Sequence, residues 1–256
     1  MTAQNKAAPL LEIVRGSVVG VEFDEHKMVS SATVKTSSGN RSVPCTAVVA
    51  SMGPWTSLSR EWGGAFSQVP EVQGLKAHSI VMKSSGVSPV ALFTKYQEDG
   101  KEIEFYPRPN GTVYWCGEAD DWHSPVLDSP GSVVADPGSI SRLLMRGSEM
   151  SPTYLSQIPE RTAACHLPVV CTKDGGSAPP IIGELLNPCS DSKDGEPRTK
   201  SNAFIATGHS CWGILQAPST GFGLAELIVT GKSSKIDLSE YAPAGHPSTG
   251  IPSIAQ

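Results

Sequence analysis

Nowhere in these 256 residues does an apolar run approach the roughly 20 residues that a membrane-spanning helix requires, so no span is expected. The first residues, Met1 to Pro9, are small and polar and hold no apolar core of a signal peptide. An excess of positive charge is also lacking. Twenty Lys and Arg stand against 25 Asp and Glu, a net charge of -5 that gives no reason to expect nucleic acid or an anionic membrane as partner. The six cysteines (Cys45, Cys116, Cys165, Cys171, Cys189, Cys211) are widely spread, with no CxxC and no matching Cys/His cluster. A zinc site is therefore not expected. Reduced, mostly buried thiols in an intracellular, cytoplasmic setting are the expectation.

What the chain does have is punctuation. Twenty-five glycines and 21 prolines describe many turns and short elements, the pattern of a mixed α/β protein and not of a helical bundle. With 39% apolar and 18% charged residues, the length suffices for one large domain or two small ones around a proper core.

β-Branched runs at Leu11 to Arg15, Ser17 to Asp24 and Ala32 to Thr36 predict strands, with a turn at Ser37 to Asn40. The short run Thr46 to Ser51 is apolar without alternation, which predicts a strand buried on both faces, stopped by Gly53-Pro54. Four further strand-like runs follow: Gly74 to Lys83, Val90 to Thr94, Ile103 to Arg108 and Thr112 to Glu118. Asn110-Gly111 is a strong tight-turn signal between the last two, so this region reads as a largely antiparallel sheet. Asp136 to Glu149 predicts a helix, capped by Asp136 and opened by Pro137. Asn187 to Asn202 reads as an exposed loop of weak order, and Ala242 to Gln256 as a flexible extension.

The most informative stretch is Ala203 to Gly231. A buried strand, Ala203 to Thr207, runs into a glycine-bounded loop, Gly208-His209-Ser210-Cys211-Trp212-Gly213-Ile214. Pro218 opens a helix in which Gly221, Leu224, Ala225 and Ile228 share a face, and Gly231 closes it. Such an arrangement aims a helix N-terminus, with its free N–H groups and positive dipole end, at an anionic or carbonyl-bearing ligand.

These residues resemble the C-terminal signature of the D-amino-acid oxidase, glycine oxidase and sarcosine oxidase family of FAD-dependent oxidoreductases. The resemblance rests on Ala206-Thr207-Gly208-His209, Gly213-Ile214, Ala217-Pro218, Thr220-Gly221 and Leu224 to Ile228. Leu11 to Asp24 with Ala47 to Trp55, Gly74 to Lys83 with Phe105 to Tyr114, and Arg161 to Pro168 with Pro180 to Gly183 resemble further family passages in the same order. The resemblance implies a mixed α/β fold: part of a Rossmann-like FAD-binding domain carrying an inserted antiparallel-sheet substrate domain. It assigns residues 1–70 and 161–241 to the FAD-binding domain, 71–160 to the substrate domain and 242–256 to a tail.

It further implies FAD as cofactor, near Gly53, Trp55, Gly208, His209, Gly213, Ile214, Pro218 and Gly221. The substrate would be an amine or amino acid met by Tyr106 and Arg108, whose phenol and guanidinium suit a carboxylate. Tyr114 and Trp115 are expected to pack in the core. Some sarcosine oxidases attach flavin through a cysteine near the position of Cys165, but the stretched spacing that follows it favours a buried thiol. No side-chain base and no metal ligand is assigned.

One family element is missing from the sequence. The GxGxxG turn that holds the pyrophosphate of FAD occurs nowhere in the chain. Either the isolated chain binds FAD poorly, or another segment or a partner chain supplies that half. Two alternatives stay open beside a C–N oxidising enzyme: a non-catalytic truncated relative serving as a binding module, and an incomplete gene model.

Overall fold

The computed structural model describes residues 11–119, 129–172, 176–188 and 198–247. The Met1 to Pro9 reading, Cys189, the centre of the expected 187–202 loop and the end of the tail lie outside them.

Three strands form the first sheet: β1 (Ser17–Phe23), β2 (Val29–Thr36) and β3 (Gly39–Pro44), antiparallel in the order β1-β2-β3. Val21 lies opposite Ala32, and Ala32 opposite Val43. The turn between β2 and β3 is shorter than expected, because Gly39 and Asn40 already pair with Thr36 and Lys35. Leu11 to Arg15 forms no strand. It finds no partner strand for its backbone groups among the described residues, Ile13 is left 82% exposed, and the segment is held by the Arg41–Glu12 ion pair at 2.6 Å.

β4 (Val48–Ala50) begins the second sheet and ends at a positive-φ Gly53. Two 3-10 segments, Gly53–Trp62 and Gly64–Gln68, then lead to the six-stranded sheet. That sheet is built from β5 (Val72–Lys83), β6 (Leu92–Lys95), β7 (Glu102–Pro107), β8 (Thr112–Ala119), β9 (Arg161–Cys171) and β10 (Ser177–Ala178). Its order is β10-β9-β5-β8-β7-β6, antiparallel throughout, as the middle of the sequence predicts. β9 pairs with β5 over ten residues, so the sheet runs on past residue 160, where the sequence reading divides the chain.

Between β8 and β9 lies α1 (Pro137–Met150). Asp136 caps it by accepting the Ser139 N–H at 2.8 Å, with Pro137 in the first turn as expected. The helix covers one face of the six-stranded sheet. Leu143 packs there with Ile80, Met82, Ile103, Phe105 and Val113. Trp115 is fully buried in that cluster and donates its Nε1–H to the Leu143 carbonyl at 3.0 Å. Tyr114 is not in the core, because alternation along β8 turns it to the opposite, open face.

β11 (Ile181–Leu185) and β12 (Ala203–Thr207) complete the second sheet, in the order β11-β12-β4. β12 is parallel to β4 and antiparallel to β11. One face of this sheet joins the first sheet and the 3-10 segments in a core around Phe66, Val72, Val170 and Ile205. The other receives α2 (Gly213–Thr230) through Phe204, Ile182 and Leu224.

Several expectations need correction. Val49 in β4 is 40% exposed, so that strand is not buried on both faces; its outer edge has no partner among the described residues. Asn187 is only 2% exposed, because its side-chain amide donates to Thr199 Oγ1 and to the Lys200 carbonyl. Ser201 is buried and donates to the Leu185 carbonyl, so both described ends of the expected loop are anchored. The tail is docked as far as His246, which is buried with its Nε2 3.1 Å from the Pro179 carbonyl. Of the five described cysteines none is buried, and Cys165 and Cys211 are exposed. No helix among the described residues is long and apolar enough to cross a membrane.

Candidate functional site at the ends of two parallel strands

β4 and β12 run parallel, so their carboxyl ends open on the same side, a crevice where α/β sheets place ligands. Each ends in a glycine with positive φ, Gly53 at 56° and Gly208 at 83°. The two turns are tied together. The Thr56 hydroxyl reaches the Gly53 carbonyl at 2.6 Å and lies 2.9 Å from the Thr207 hydroxyl, which is buried at the end of β12. Gly208 also packs tightly, since a Cβ there would run into Val170 Cγ2 of β9. A side chain at this position would strain both the backbone and the neighbouring sheet.

Beyond Gly208 the chain makes one 3-10 turn, Ser210–Trp212, and enters α2 at Gly213. Pro218 therefore lies inside the helix and does not open it. The proline forfeits only its own bond to the Ile214 carbonyl. Ile214 is 96% exposed, so solvent can take that place. No side chain caps the N-terminus of α2 and no acidic residue lies in its first turn, which leaves N–H groups without a side-chain acceptor at the mouth of the crevice. Gly231 in the left-handed conformation ends the helix, as expected.

His209 turns back onto α2. Its Nε2 lies 3.0 Å from Thr220 Oγ1, and burial pulls its pKa below the usual histidine range. A groove of about 440 Å³ opens between the helix and β4, lined by Val49, Ser51, Ala206, His209, Gly213 and Gly221 among others. Leu224, Ala225 and Ile228 line it too, so the expected helix face is formed and looks into a gap.

The structure thus gathers Gly53, Gly208, His209, Gly213 and Gly221 about the crevice. The Trp55 ring stands edge-on to that of His166 at 6.4 Å. Ile214 and Pro218 face solvent.

On the open face of the six-stranded sheet, Tyr106 and Arg108 lie beside Tyr114. The Arg108 guanidinium sits 4.9 Å over the Tyr114 ring, and Tyr106 donates its phenolic hydrogen to Glu104 Oε2 at 2.6 Å. That bond to a carboxylate pushes the Tyr106 pKa up to about 12. Burial raises the Tyr114 and Cys116 pKa values. The 3-10 turn after Gly208 touches β9, and its Cys211 is near enough to bear electrostatically on both Tyr106 and Cys116. Crevice and open sheet face therefore meet.

The sequence reading singled out neither Glu104 nor Thr56, and it met Thr207 and Thr220 only inside the family signature. Glu104 stands two residues before Tyr106, which in a strand puts both on one face, so its signal was present. The threonine contacts carry none, because Thr56 and Thr207 lie on different elements and His209, the partner of Thr220, stands eleven residues back in the loop.

Comparison with known proteins agrees with this architecture. The model of the family described as DAO, FAD dependent oxidoreductase, matches residues 7–227. The Saccharomyces cerevisiae protein named "Putative oxidoreductase TDA3" is 34% identical over 201 residues, covering 77% of this chain and 34% of the relative. Among solved structures, iminodiacetate oxidase from Chelativorans sp. BNC1 superposes with a TM-score of 0.65 at 16% identity, covering 90% of this chain and 53% of that one. Glycine oxidase from Bacillus cereus gives 0.60 at 18% identity, covering 86% and 51%. The chain thus spans about a third of the yeast relative and about half of each solved enzyme. With most of its length matched by the family model, this chain belongs to the DAO family of FAD-dependent oxidoreductases.

Proposed function

We propose that this chain forms the flavin-ring and substrate faces of an oxidoreductase acting on the C–N bond of an amine or amino acid. The observation that carries the reading is the meeting of two surfaces. The uncapped N-terminus of α2 and the Gly208 loop stand beside a sheet face bearing Tyr106, Arg108 and Tyr114. Free amide groups and a helix dipole suit the carbonyl or anionic edge of a flavin ring. FAD, when bound, supplies an acceptor at N5 for the hydride leaving the carbon that bears the amine. The protein's own part is positional. Gly208 and Gly53 let backbone approach the ring, Arg108 and Tyr106 hold the substrate's polar groups, and the two surfaces between them exclude water.

The fit to the cofactor is one-sided. The uncapped start of α2 offers amides that suit a ring, whereas no GxGxxG turn offers amides to the pyrophosphate. The outer edge of β4, unpaired among the described residues, and the groove beside it favour completion by a further strand and helix. Such a strand would lie parallel to β4, and its helix would settle against Gly213, Gly221 and Ala225. This unit would come from a longer polypeptide or a partner chain, in keeping with the half of the solved enzymes' length that this chain does not span.

Native purification with any accompanying polypeptide, followed by a visible spectrum, tests the reading. Flavin bands at about one flavin per chain, bleached anaerobically by amines or amino acids, are expected. Protein that stays colourless after incubation with FAD would instead support a non-catalytic binding module, the reading favoured by the lack of a GxGxxG turn.

A further inference from the structure

The open face of β7 holds a carboxylate in unusual company. Glu104 is half-buried, and its neighbours across the sheet are Phe93 of β6 and Cys116 of β8. Along its own strand it accepts the Tyr106 hydroxyl at 2.6 Å. The Phe93 ring stands perpendicular to that of Tyr106 at 5.8 Å, and the Tyr114 ring follows at 6.1 Å. Among the described residues no cation pairs with Glu104. Lys95, next in line on β6, is engaged by Glu102 at 3.2 Å, and Arg108 lies over Tyr114.

A carboxylate has about four acceptor sites, and one phenol fills one of them. A partly desolvated negative charge that lacks a counter-ion is costly unless something positive comes to it. Aromatic faces beside it attract the same kind of visitor, since their quadrupoles favour a cation, above all a weakly hydrated alkylammonium. The free orbitals of Glu104 and the rings of Phe93 and Tyr106 therefore converge in chemical preference.

We propose that Glu104, framed by Phe93 and Tyr106, is a cation subsite that selects substrates carrying a positively charged nitrogen. The inference rests on reading this sheet face as the substrate face, and it makes Glu104 the specificity-determining residue there. Arg108 follows just past the end of β7 and lies over Tyr114, so it leaves the Glu104 carboxylate to another cation.

The test needs no flavin, so its outcome is separable from that of the flavin spectrum. Binding of choline and of its neutral carbon isostere, 3,3-dimethylbutan-1-ol, is measured by calorimetry on the wild type, Glu104→Gln and Phe93→Leu. Choline is expected to bind at least tenfold more tightly than the isostere. Glu104→Gln should remove that preference, and Phe93→Leu should weaken choline a few-fold. Ultraviolet titration of tyrosine checks each protein's fold and the pair itself: a phenol near pH 12 in the wild type should move toward 10 in Glu104→Gln. Equal binding of the two probes, no binding of choline to folded wild type, or an unchanged preference in Glu104→Gln overturns the proposal. A flavin-loaded protein indifferent to choline would sink this inference and leave the proposed function standing.

Discussion

His209 in the loop and Thr220 in the helix are joined at 3.0 Å between Nε2 and Oγ1, across eleven residues. This contact closes the Gly208 loop onto the groove side of α2 and fixes how the helix N-terminus is presented. It also places an imidazole where burial disfavours its charged form.

A pH dependence follows from that burial. The folded pKa of His209 lies below its unfolded value, as does that of His246, where burial is again the largest cause. Between the two pKa values the unfolded chain binds more protons, so stability falls as pH drops below the ordinary histidine pKa of about 6.5. Above it neither state is protonated and the contribution is flat. Thermal unfolding followed by circular dichroism should show a midpoint that declines from pH 7 toward 5. The decline should be shallower in His209→Gln. A midpoint independent of pH over that interval would contradict the account.

Two glycines of the crevice, Gly208 and Gly221, should respond oppositely to alanine.

 Gly208 adopts φ of 83°, and a Cβ there would collide with Val170 of β9. Gly208→Ala should cost about 1–3 kcal/mol in chemical denaturation, because backbone strain and overpacking act together. Gly221 lies within α2 with nothing inside 4 Å of the position its Cβ would take. Gly221→Ala should therefore raise stability by about 0.5–1 kcal/mol through helix propensity. Equal effects of the two substitutions would show that Gly208 is not a close approach.

Much of this arrangement is legible in the sequence, for identifiable reasons. The four middle strands, the Asn110-Gly111 turn, the capped α1 and the Gly231 stop are written in local patterns, and each forms as predicted. Errors cluster where the outcome depends on a distant partner. Leu11 to Arg15 has strand composition and finds no strand to pair with among the described residues. Thr46 to Ser51 reads as fully buried, yet Val49 faces an open groove. Asn187 and Ser201 look like loop residues and are buried by bonds to Thr199, Lys200 and Leu185. The glycine turns were visible from the local pattern, and their link to a flavin came from the family resemblance. The threonine bridge between Gly53 and Gly208 was not visible, because Thr56 and Thr207 stand 151 residues apart.

The apolar surface around α2 yields the last prediction. This helix is apolar round most of its circumference, a pattern that in water calls for cover on more than one side. Among the described residues one side is covered, by Phe204, Ile182 and Leu238. Ile214, Leu215, Phe222 and Val229 remain exposed, Val229 at 83%. Purified without a covering segment, the chain should self-associate through this surface. Sedimentation velocity should show larger species that grow with concentration. The double variant Ile214→Lys with Val229→Lys should return it toward monomer while changing stability by no more than about 0.5 kcal/mol, since neither side chain is packed. If the double variant assembles as the wild type does, association runs through another face, and the exposed side of α2 is not the one that seeks a partner.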